Sequence, residues 1–232
     1  MKPVSQEANN PLGYRKVSKL LTGYAVPCII SMLVTALYNI VDQIFIGQGV
    51  GVLGNVATNI AFPLSTTCTA IALLLGIGGA SNFSLELGAG REDHAAKSAG
   101  NAITMMAVSG IALFLIVTIF LTPMLKFFGA TDDVLPYAQT YTRITSIGFP
   151  FLIINTAISK LILADGSPKY SMTSMLVGAV INTILDPIFI FVFDMGMAGA
   201  ALATIIGQIV SFCISVKYAF HFRHIKLTRK CF

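Results

Sequence analysis

Two aspartates, Asp42 and Asp186, stand inside otherwise apolar stretches of this chain. A charge at the centre of a bilayer costs ~2.5–3.5 kcal/mol on insertion scales and more in simulations, so such residues face a cavity or a partner. Both aspartates have oxygen-bearing neighbours. Tyr38 and Asn39 precede Asp42 by four and three residues, and Asn182 precedes Asp186 by four. In a helix, Asn182 and Asp186 therefore share a face, and Asn39 is expected to join Asp42. Pro187 lacks an amide hydrogen, which frees the carbonyl of Thr183 beside Asp186. Thr204 adds a hydroxyl. Two carboxylates, an amide oxygen, a hydroxyl and a spare carbonyl are hard oxygen ligands that suit a proton or a small cation such as Na⁺. The structural alternative makes Asp42 an interfacial residue reaching for water, and Asn182 and Thr204 helix-packing groups. The Asn182–Asp186–Pro187 grouping favours function.

The elements that must hold these residues are membrane helices. The chain of 232 residues is 55% hydrophobic and 11% charged, against about 25% charged in soluble domains. Its mean hydropathy is +0.80. Six apolar runs reach the roughly 20 residues a span needs: 20–46, 58–79, 99–121, 141–163, 170–193 and 199–220. Asp42 lies about 6 Å from the end of the first run and Asp186 about 10 Å from the end of the fifth. Thr204, five residues into the sixth run, reaches the same depth. The expected fold is all-α and integral to the membrane: a segment at 1–19, a six-helix body at 20–221 and a basic tail at 222–232.

Orientation follows from Lys and Arg. One side collects Lys2, Arg15, Lys16, Lys19, Arg91, Lys97, Lys160, Lys169, Lys217 and the tail, 13 of the 15 basic residues. Lys126 and Arg143 fall on the other. The positive-inside rule places both termini in the cytoplasm, so the two aspartates belong to the outer half. The net charge of +5 is thus topological and does not point to nucleic acid.

Other residues offer less chemistry. Cys28, Cys68 and Cys213 lie in apolar runs and Cys231 in the tail, with no C-x-x-C pair or His/Cys cluster for a metal. Gly76, Gly78 and Gly79 mimic a phosphate loop, but no strand precedes them. Pro27, Pro63 and Pro150 interrupt spans. No cleaved signal peptide is expected, because the first apolar run is too long for one. An intramembrane aspartyl protease would need a Gly-x-Gly-Asp pattern, whereas these aspartates follow Ile40-Val41 and Ile184-Leu185. No enzyme and no organic cofactor are expected.

The stretches Ala36-Leu-Tyr-Asn-Ile-Val-Asp42, Ala164-Asp-Gly-Ser-Pro-Lys-Tyr170, Asn182-Thr-Ile-Leu-Asp-Pro-Ile-Phe189 and Gly199-Ala-Ala-Leu-Ala-Thr204 resemble the multidrug and toxic compound extrusion (MATE) family, especially its MepA-like bacterial branch. Asn59-Ile-Ala-Phe-Pro63 and Phe128-Gly-Ala-Thr131 agree. The resemblance spans nearly the whole chain. It implies the amino-terminal lobe of a twelve-helix transporter that exports organic cations and drugs across the bacterial plasma membrane against Na⁺ or H⁺. It also implies that Asp42, Asn182, Asp186 and Thr204 form the cation-coupling cluster and that Pro27 is the bending proline.

Two departures accompany it. The resemblance covers one lobe, and the second is expected to be absent, which suggests a truncated, split or decaying gene, or an isolated lobe, completed by a second lobe or a homodimer. Leu163 stands where the family has Arg. A flippase for lipid-linked substrates and a non-transporting fragment remain as alternatives. The flippase is disfavoured because Arg143 is the one basic residue near a span interior.

Overall fold

Backbone amides and carbonyls in hydrocarbon must pair within the protein, so long apolar stretches become helices. The computed structural model describes residues 16–222 and 225. It contains α1 (Val17–Gly49), α2 (Val52–Gly88), α3 (Glu92–Ile119), α4 (Leu121–Phe127), α5 (Leu135–Ala164), α6 (Pro168–Pro187), a π-helical turn at Ile188–Val192, and α7 (Gly196–Ala219). No strand occurs among the described residues. Six of these helices, α6 counted with its π turn, are long and apolar enough to cross a membrane. These are the six expected spans.

The helices outrun the apolar runs. Run 58–79 became a helix of 37 residues, because hydropathy marks the hydrocarbon slab while Asn82 and Glu86 remain helical beyond it. Just past the third run, Thr122-Pro123 opens α4. Pro123 occupies its first turn, where an amide hydrogen has no intrahelical acceptor to lose.

α2 and α5 pack along each other at the centre. α3 and α7 flank α5, α6 lies on α7, and α1 rests mainly on α6 at the edge. One core, at the end where α1 turns into α2, gathers Ile46, Leu64, Met106, Phe149, Ile190 and Met197. The other gathers Phe83, Ala99, Ile158, Leu161 and Tyr218 with Phe222 and Ile225. Those last two come from the segment set at 222–232, and both are buried. The rest of that segment, and residues 1–15, lie outside the described residues. Large apolar side chains such as Leu74, Val108 and Ile119 face outward, where lipid would solvate them.

Candidate functional site

α1, α6 and α7 converge near the α1–α2 turn, and their polar residues meet there. Asp186 and Asn182 lie one turn apart on the buried face of α6. Their approach to α7 depends on small residues. A Cβ on Gly207 would stand 2.7 Å from the Gly178 carbonyl oxygen and 3.2 Å from Asn182 Cβ. Glycine there lets the helix backbones touch and brings Asn182 against Thr204.

The Asn182 carboxamide nitrogen lies 3.5 Å from Asp186 Oδ1 and 3.4 Å from Thr204 Oγ1. Turned over, the carboxamide satisfies both ends better. Its nitrogen then donates to Asp186 Oδ2 at 3.3 Å and its oxygen accepts from the Thr204 amide at 3.2 Å. Thr204 Oγ1 donates to the Ala200 carbonyl at 3.0 Å. Asp42 is buried on α1 and lies close to Asp186 of α6. Its Oδ1 is buried without a hydrogen-bond partner. A buried carboxylate oxygen without a donor is costly, and a proton or a cation would satisfy it. The donor set fits a small monovalent ion: two carboxylates with a neutral amide and a hydroxyl. No group of three His, Cys, Asp or Glu gathers among the described residues.

The structure separates the supporting residues. Tyr38 faces the two aspartates. Asn39 does not: it is exposed and lines a groove between α1 and α2 with Gln43 and Asn55. At about 100° per residue, Tyr38 and Asn39 flank Asp42 on opposite sides, and α1 meets α6 only on the Tyr38 side. Pro27 is buried inside α1, and its carbonyl accepts from Ser31 Oγ at 2.8 Å. Pro187 ends α6 and leads into the π turn.

Two site features escaped the sequence. Tyr141 of α5 comes close to Thr204 and to both aspartates; as the first residue of an apolar run it looked like a boundary. Asp165 is a third buried carboxylate, with no exposed surface. At the opposite end of the bundle, Tyr218 Oη donates to Asp165 Oδ2 at 2.8 Å and lies 2.6 Å from Ser167 Oγ. Beside it, Ser174 and Ser211 each donate to the other's carbonyl at 2.9 Å, and Ser215 Oγ donates to Asn155 Oδ1 at 2.7 Å.

A six-span helical body with an acid–amide–hydroxyl cluster buried between three helices defines a polytopic membrane protein with a buried polar site. The MatE family profile matches residues 27–188, and the chain belongs to that family. Multidrug export protein MepA of Staphylococcus saprophyticus is 30% identical over 209 residues, covering 87% of this chain and 45% of that protein. Probable multidrug resistance protein YoeA of Bacillus subtilis is 26% identical, covering 93% of this chain and 46% of the relative. A crystal structure of MATE in complex with MaD3S superposes with a TM-score of 0.86 at 25% identity, covering 92% of this chain and 48% of that one. The chain thus spans about half the length of the relatives it matches. These relatives are export and resistance proteins rather than enzymes, and the family match with six apolar helices makes this chain a multi-pass protein of the bacterial plasma membrane.

Proposed function

We propose that this chain is the amino-terminal lobe of a cation-coupled exporter of organic cations and drugs, with Asp42, Asn182, Asp186 and Thr204 as its coupling site. The observation that supports this most is the meeting of Asn182, Asp186 and Thr204 between α6 and α7 beside Asp42 of α1, whose Oδ1 is buried without a donor. Two facing carboxylates repel when both are ionised, and Na⁺ or a proton relieves that repulsion. Binding and release of the ion would shift α1 relative to α6, because Asp42 is supplied by one helix and Asp186 by the other. Tyr38 and Pro27 on α1 would carry that shift along the helix. The drug path would lie between this lobe and a second wall, supplied by another lobe or another copy, since transporter sites form at repeat interfaces. Both termini would face the cytoplasm.

Thermal unfolding of the purified chain in detergent at neutral pH tests the coupling site, with choline replacing Na⁺ at constant ionic strength. A cation at about 100 times its Kd stabilises by about 2.7 kcal/mol. Wild type should therefore gain several degrees from Na⁺ or respond to pH, and Asp186→Asn should lose the response. Ser65→Ala, a helix hydroxyl away from the cluster, should keep it. An unchanged response in Asp186→Asn rejects the site.

A further inference from the structure

α1 presents a second polar face that the carboxylate cluster does not use. Asn39, Ile40, Gln43, Ile44 and Gly47 follow one another at helical spacing and, with Asn55 of α2, line a concavity of ≈470 Å³. That volume falls in the size range of small-molecule sites, which are mostly apolar with a few placed polar groups. Here the polar groups are three carboxamides, and the apolar ones are the exposed side chains of Ile40 and Ile44.

The carboxamides are incompletely paired. Asn55 Oδ1 is buried without a hydrogen-bond partner. The Thr58 hydroxyl lies 3.1 Å from Gln43 Oε1 and 2.9 Å from the Asn55 carbonyl, and its single proton serves one of them. Gly47 makes room for this arrangement, because a Cβ there would stand 2.8 Å from Asn55 Nδ2. The groove contains acceptors and donors side by side, an apolar floor and no ionisable side chain. Gln43 follows Asp42 directly, yet the two point about 100° apart, so the groove and the carboxylate cluster lie on different sides of one helix.

We propose that this groove binds an uncharged aromatic amide, or a ligand with the same paired N–H donor and C=O acceptor on an apolar body. The ligand N–H would donate to Gln43 Oε1, which keeps a second lone pair beside the Thr58 hydroxyl, its carbonyl would accept from the amide nitrogen of Asn39 or Asn55, and its ring would lie on Ile40 and Ile44. A quaternary cation, with no hydrogen to donate and no carbonyl, would gain only the apolar contact. The site is separate from the coupling reading and stands or falls independently of it.

The test is photolabelling of the full chain in nanodiscs with azidobenzanilide, with adducts mapped by mass spectrometry. Adducts should concentrate on residues 39–47 and 55–59, unlabelled benzanilide should compete, and tetraphenylphosphonium should not. Asn55→Leu and Gln43→Leu should each cut labelling about five-fold or more. Gly47→Ala, which crowds only the mobile end of Asn55, should do the same in a protein whose elution and helicity match wild type. Asp42→Asn should label normally, and Asn55→Leu should keep the Na⁺ or pH response, which separates this site from the coupling site. Adducts spread evenly over lipid-facing residues of α3, equal competition by tetraphenylphosphonium, or undiminished labelling in the folded variants would overturn the proposal.

Discussion

At the scale of single residues, the cluster turns on Asp186. It is fully buried, and Asn182 is its nearest amide donor. Its partnership with Asn182 was legible because helical spacing of four fixes a shared face whatever the tertiary packing. Asn39 was not, because being three residues from Asp42 leaves open which flank of the helix a neighbour covers. Tyr141 was hidden for a different reason: nothing local shows that the start of α5 points toward α7. At the opposite end, Tyr218 anchors Asp165. Hydrogen bonds to charged groups contribute ~1.5–3 kcal/mol, so Tyr218→Phe should lower unfolding free energy by about that amount. Chemical denaturation of the purified variant measures it, and a change below 0.5 kcal/mol, the usual scatter of neutral surface substitutions, would argue against the anchor.

For the helices, the decisive contact is α6 on α7. Glycines at 178 and 207 bring the two backbones together, and the reciprocal Ser174–Ser211 bonds hold them in register nearby. Extra methyl groups in close-packed sites typically cost ~1–3 kcal/mol. Gly207→Ala should therefore reduce stability by that order and also weaken the Na⁺ or pH response, since the same Cβ pushes on Asn182. Thermal scans with and without Na⁺ separate the two effects. A loss of stability with an intact cation response would mean that the helix contact does not position the site. The number of spans was legible because six apolar runs are each separated by breakers. The π turn after Pro187 was not. A proline says that the α pattern is interrupted, but whether the chain then bends, stops or widens depends on the neighbours, here Gly49 and Gly199, against which Ile190 and Phe189 pack.

Taken whole, the molecule has an asymmetric surface. α1 is covered mainly by α6 and is exposed over much of its remaining surface, with Asn39 and Gln43 facing away from the cluster. On the proposed reading, this lobe supplies one wall of a transport path. Expressed by itself in cells lacking other exporters, it should not lower ethidium accumulation while it is monomeric. Accumulation assays paired with membrane cross-linking check this, and robust export by a monomeric chain would refute it. Orientation is a second global property. With native thiols removed, a cysteine at position 194 should react with an impermeant reagent from outside intact cells and one at position 97 should not. The reverse pattern would invert the topology.

The central claim is that Asp42 and Asp186 share one cation. Infrared difference spectroscopy of the purified chain observes the carboxyl groups themselves. Replacing choline by Na⁺, or raising the pH in choline, should change the carboxyl bands of wild type, and that difference should disappear in both Asp42→Asn and Asp186→Asn. A wild-type spectrum that responds to neither change, or a difference that survives in either variant, would contradict a shared site.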